Sequence, residues 1–207
     1  MEIIWKGSPN FTKGRNKKKI DMIVLHWFGI GTLSSANNRF QNPESQASAH
    51  YGISNDTVWQ WVKEEDASWA AGNFDVNLKS INIEHDATTT KEASEQTYQT
   101  CAALVKEICD RYKIPLDRDH IKGHKEVSDK PTACPGTLDI DKVIRLAKGQ
   151  DDMTETEVRI LQFVSEQGLS EGDVREAVGL FKDKAGEKIA NLEKGMEALN
   201  GVCQDLE

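Results

Sequence analysis

The sequence predicts an α/β domain, a mixed central β-sheet flanked by helices, followed by a small all-α C-terminal region. Three observations predict it. The run Ile20, Met22, Ile23, Val24 and Leu25 is apolar on both alternating faces, as in a strand covered on both sides. Residues 94–113 carry the clearest amphipathic helix. At Gly149 to Asp152 the composition breaks, and beyond it every pattern is helical.

The elements follow in chain order. The strand over 20–26 ends at His26, where the chain would leave the core. A polar stretch with Gly29, Gly31 and many Ser and Asn runs to about Ala47. Ser48 to Ser54 and Thr57 to Val62 flank Asn55-Asp56 and read as a hairpin, since Asn and Asp tolerate the turn conformations such loops need. Ser80 to Glu84 forms a short alternating strand. The helix over 94–113 has Ser94 as N-cap, a face of Leu104, Val105, Ile108 and Tyr112, and Pro115 as its stop. A short helix over 138–147 closes the first domain, and the alternation of strands and helices gives the α/β class.

The domain boundaries predicted are 1–148, a linker at 149–153, and a helical module over 154–207. In the module, Thr154 and Glu157 fit a capping box, Gly168 ends the first helix and Ser170 caps a second. The third helix places Ala185, Ile189, Leu192, Met196, Leu199, Cys203 and Leu206 on a heptad seam. A three-helix bundle buries that seam internally; a homo-oligomer through these helices is the alternative.

Charge narrows the partners. The net charge is −8, with 20 basic and 20 acidic side chains in residues 1–150 and 6 against 14 in residues 151–207. That distribution argues against nucleic acid, which needs a basic surface. The basic cluster Lys13 to Lys19 reads as a solvated loop. No apolar stretch approaches the roughly 18 residues that span a bilayer, and the start MEIIWKGSPN lacks the pattern of a signal peptide. Synthesis in a bacterial cytoplasm without membrane insertion is the expectation. Cys101 and Cys109 lie eight residues apart in the long helix, roughly 12 Å along its axis, too far for a disulfide.

Five histidines occur, and any one alone is more often a packed or surface residue than a ligand. His26 in IDMIVLHW, with His124 and Cys134 in GHKEVSDKPTACPG, has the composition of a three-ligand zinc site with one open position. Cys134 precedes Pro135-Gly136, a turn that can present its side chain. A cysteine nucleophile paired with His124 is the competing chemistry, and it leaves His26 unexplained.

From about Ile3 to Ile144 the chain resembles the zinc-dependent N-acetylmuramoyl-L-alanine amidase family, which includes phage endolysins, autolysins and peptidoglycan-recognition proteins. The resemblance is carried by SPNFTKGR, IVLHWFG, SAHYGISNDTVWQWV, SINIEHD, HIKGH and TACPG, in that order. It implies one zinc per chain on His26, His124 and Cys134. The reaction implied is hydrolysis of the amide joining the lactyl group of N-acetylmuramic acid to L-alanine of peptidoglycan. It implies Glu84 as the acid beside the metal, able to take a proton from water and give it to the leaving amine.

Three positions depart from the family pattern. Thr132 stands where many members place an oxyanion-stabilising lysine, so Thr132 or Lys130 is the candidate for that role. Ala49 replaces the tyrosine that some phage members use, which leaves the acid–base role to Glu84; Tyr51 should face the other way. Trp69-Ala70 stands where Trp-His is frequent.

Trp27, Phe28 and Trp69 are candidates for the substrate-binding cleft wall, while Trp59 and Trp61 are expected to pack. His50 is expected to be structural, His85 to face away from Glu84, and His120 to lie on the surface. The resemblance and the missing leader together point to an endolysin released to the wall through holin lesions. A cytoplasmic muropeptide-recycling amidase is the second reading, although such relatives tend to use Asp as third ligand. A non-catalytic peptidoglycan-binding protein is the third; such members usually lose the cysteine.

Overall fold

In a computed structural model the described residues are 1–29 and 31–149. Apart from Gly149, the predicted linker and the helices of 154–207 lie outside them. The strands are β1 (Ile3–Trp5), β2 (Phe11–Thr12), β3 (Met22–Trp27), β4 (Tyr51–Ser54), β5 (Thr57–Gln60), β6 (Ala67–Ser68), β7 (Ser80–His85) and β8 (Ile121–Gly123). The helices are α1 (Leu33–Gln41), α2 (Phe74–Lys79), α3 (Glu95–Tyr112), α4 (His124–Val127) and α5 (Ile140–Ala147). Six strands form one mixed sheet in the order β1-β5-β4-β7-β3-β8, and β2 pairs with β6 beside it. The α/β class with a mixed sheet is therefore observed.

β3 is an interior strand, between β7 and the edge strand β8, and both of its faces are apolar. Ile23 and Leu25 face the large core formed with α3 and α5, while Val24 faces Ala71 and Val76 on the other side. β3 runs parallel to β7 and to β8. β4 and β5 form the predicted antiparallel hairpin, and Asn55 at its turn has φ 54°. Helix α3 begins at the predicted cap, where Ser94 accepts from the Thr97 N–H. It ends at Lys113 in the left-handed conformation, two residues before Pro115. Helix α5 is capped by Asp139 and buries Ile140, Val143, Ile144 and Ala147.

The structure corrects two sequence expectations. The polar stretch after Gly31 contains α1, capped by Thr32 and turned inward through Leu33, Ala36 and Phe40. Its apolar stripe is three residues wide in a segment of Ser and Asn, too thin for periodicity to expose. The basic cluster is not simply a solvated loop, since Arg15 is 8% exposed. Its Nε donates to the Glu64 carbonyl and its Nη1 to the carbonyls of Asn77, Leu78 and Ser80. A fixed planar fork of donors suits four converging main-chain acceptors better than a lysine could.

Gly52 is required by close approach: a Cβ there would lie 2.5 Å from the Trp61 ring. Trp61 is fully buried, meets Phe40 edge-on and donates its indole N–H to Asn37. Trp59 packs against it and carries Lys6 over its ring, so both tryptophans pack as expected.

Candidate functional site

Strand register assembles the site. His26 is the register partner of Glu84, and Val24 is the partner of Asn82. Alternation along β3 and β7 then puts His26, Asn82 and Glu84 on one face. His124 is the first residue of α4, directly after β8 on the other side of β3. The tilted rings of His26 and His124 are 4.6 Å apart. Cys134 arrives on the loop before α5, and its Sγ lies 3.7 Å from His26 Nδ1. One ligand atom from each of His26, His124 and Cys134 lies within 4.8 Å of the others.

Cys134 is 4% exposed, so the Pro135-Gly136 turn does not present it at an open loop tip. That turn is seated by Trp27, because a Cβ on Gly136 would lie 2.2 Å from the Trp27 ring. Trp27 points to the face opposite His26 and packs against the large core. Its structural job is therefore to hold the loop that carries Cys134.

Burial dominates the electrostatics. It depresses the His26 pKa to about 3, with the neighbouring His124 contributing. It lowers that of His124 as well, opposed by the Ala71 backbone. Both imidazoles are thus neutral, which is the form that ligates metals. Burial raises the Glu84 pKa to about 8, only partly offset by Arg39. The Cys134 thiol is pushed far above its usual range by burial and by Glu84. A buried thiol held protonated is a poor nucleophile. Among the described residues, the buried side-chain atoms without a hydrogen-bond partner are Glu84 Oε2 and His124 Nε2. Two imidazoles and a thiol with ligand atoms within 4.8 Å of one another, and an unpartnered His124 Nε2, fit a divalent, borderline-soft cation.

A family profile described as N-acetylmuramoyl-L-alanine amidase matches residues 16–137. The chain belongs to this family. It is 32% identical over 147 residues to N-acetylmuramoyl-L-alanine amidase A of Achromobacter lyticus, covering 61% of this chain and 81% of that protein. Among solved structures, a selenomethionine derivative of AmpD aligns with TM-score 0.60 at 22% identity, over 70% of this chain and 94% of its own. A mutant endolysin from Bacillus subtilis aligns with TM-score 0.56 at 23% identity, over 72% and 99%. The two structures show a shared fold.

The other residues singled out from the sequence are distributed as follows. Thr132 Oγ1 accepts from the Cys134 N–H at 3.1 Å, which leaves its own proton free to donate. Lys130 is exposed and bonds through its backbone N–H to Ser128 Oγ. Phe28 packs against the cluster of Leu33, Phe40 and Trp61. Trp69 donates its indole N–H to Thr12. Tyr51 faces away, as expected, and donates to Glu64.

His50 is structural: its ring is fully buried among Arg15, Asp66, Ser68 and Asn82. His85 faces away from Glu84, between the His26 carbonyl and Cys101. His120, on the domain surface, pairs with Asp117.

Sequence reasoning missed Asn82, whose Oδ1 lies 2.9 Å from His26 Nε2. The available signal was its place in SINIE, two residues before Glu84 and hence on the same face.

Proposed function

We propose that this amidase is zinc-dependent and cleaves the bond between N-acetylmuramic acid and L-alanine of peptidoglycan, with His26, His124 and Cys134 holding the metal. The observation that carries the reading is the convergence of three ligand atoms within 4.8 Å, with Glu84 in register beside His26. The chemistry zinc supplies is Lewis acidity towards a water and a carbonyl. Glu84, in its ionised form, takes the proton of the attacking water and passes it to the leaving amine nitrogen. Thr132, fixed by the Cys134 N–H, donates its hydroxyl proton to the developing oxyanion.

Mass spectrometry of digested peptidoglycan tests the reaction. A new L-alanine amino terminus is expected; a new reducing sugar end or a cut cross-bridge overturns it. Full activity after exhaustive chelation overturns zinc.

We further propose a role in host lysis as an endolysin, released from the bacterial cytoplasm to the wall. It is supported by the likeness to an endolysin structure and by cysteine as third ligand. The likeness to AmpD favours the recycling alternative. Cleavage of intact walls supports lysis, whereas cleavage of soluble anhydro-muropeptides alone supports recycling. Comparing the full chain with one ending at Lys148 on whole walls, and by light scattering, distinguishes wall targeting from oligomerisation for residues 154–207.

A further inference from the structure

Asn82 touches His26 from behind, and its own surroundings decide which way its amide points. The Asn82 backbone N–H lies 3.0 Å from His50 Nδ1. A main-chain N–H can only donate, so His50 Nδ1 accepts. Ser68 Oγ lies 3.0 Å from the same nitrogen and therefore supplies its hydroxyl proton to it. The Ser68 oxygen is left to accept from Asn82 Nδ2 at 3.0 Å. Ser80 Oγ receives the second amide proton, also at 3.0 Å. The amide is thereby oriented with Oδ1 towards His26 Nε2 at 2.9 Å.

An amide oxygen only accepts, so His26 Nε2 carries the ring proton and Nδ1 is bare. His26 Nδ1 is the nitrogen that faces Cys134 Sγ. Ser68, Ser80, His50 and Asn82 are all 0% exposed, so bulk water does not compete with a member of the chain. One contact runs the other way. Arg15 Nη2, 2.9 Å from His50 Nε2, opposes a proton there. The Asp66 carbonyl accepts that proton at 3.1 Å, and Arg15 retains its four carbonyl partners.

We propose that Asn82 is a positioning residue that locks His26 in the Nε2–H tautomer, so that the Nδ1 lone pair is aimed in advance at the centre shared with His124 and Cys134. The inference rests on the metal reading above. Without Asn82 the ring populates both tautomers and rotates more freely, and each binding event must first select the productive form. Loss of such an outer partner typically costs about 10–100-fold in metal affinity.

The test uses the full-length chain stripped of metal by a chelator. Long-range proton–nitrogen correlation of the histidine rings should show a pyridine-like Nδ1 and a pyrrole-like Nε2 for His26. Asn82→Leu, which removes the acceptor at similar volume, should give averaged ring shifts and about 10–100-fold weaker zinc binding in chelator competition. Asn82→Asp keeps an acceptor in place, with the serine hydroxyls donating, and should restore the wild-type tautomer. A purely structural role would not move the tautomer.

Wild-type protein that binds zinc with a protonated His26 Nδ1 overturns the proposal. So does a folded Asn82→Leu with unchanged ring shifts and zinc affinity within about threefold of the parent. If Asn82→Leu does not fold, the wild-type spectrum and Asn82→Asp decide. Wild-type protein that binds no zinc overturns the metal reading instead.

Discussion

Acidifying the metal-free protein from pH 7 to pH 5 should destabilise it through its histidines. His26 and His50 are held at pKa about 3 and His85 at about 4, all chiefly by burial. Released into the unfolded chain, each returns to its ordinary value near 6.5. Below that value the unfolded state binds protons that the folded state refuses, so stability falls as pH falls. Over this interval each histidine contributes about 2 kcal/mol, and the three together about 6 kcal/mol.

Glu84 acts in the opposite sense. Its folded pKa of about 8 lies above the ordinary value of 4.5, so the folded state holds the proton more tightly. That stabilisation is complete below the unfolded value and lost as pH rises through 8, so acidification from 7 to 5 regains about 2.5 kcal/mol. The net loss of about 3 kcal/mol is a large share of a typical 5–15 kcal/mol stability.

Urea titrations of the chelated protein at pH 7, 6 and 5 measure it. Glu84→Gln removes the opposing contribution and should steepen the loss to about 6 kcal/mol. Stability that holds constant or rises between pH 7 and 5, or an unchanged slope in Glu84→Gln, would falsify the assignment of these groups as buried and neutral.

Glu84→Gln should keep one zinc per chain while turnover falls about 10²–10⁴-fold, read by amine release and metal analysis; turnover within a few-fold of the parent removes Glu84 as the base. Thr132→Val should lower kcat about 10²-fold with zinc retained, and Lys130→Ala should leave kcat unchanged. A large loss in Lys130→Ala with Thr132→Val neutral would transfer the oxyanion role to the lysine. Arg15→Ala should destabilise the domain by about 2–4 kcal/mol, because several buried carbonyls lose their donor. A change below about 0.5 kcal/mol in urea unfolding would mean that water replaces the guanidinium.

Much of this protein was determined by local sequence. The doubly apolar run ending at His26 became a strand buried on both faces, although next to the sheet edge rather than at its centre, Ser94 and Pro115 bounded the long helix, and Asn55-Asp56 turned the hairpin. These features obey periods and caps that operate within a few residues, so the sequence carries them openly. The three proposed ligands were also legible, because His26 closes the apolar run of a strand and His124 and Cys134 sit in distinctive motifs. What linear pattern could not supply is which side chains meet across the fold. Helix α1 is held by three inward residues against a tryptophan more than twenty positions away. Arg15 is buried only because carbonyls from residues 64 and 77–80 converge on it. Asn82 acquires its place behind His26 through parallel register and two serines, one of them on β6. Most of these contacts join residues from 14 to 65 positions apart, and the hydrogen-bond directions they impose exist only once the tertiary structure has excluded water.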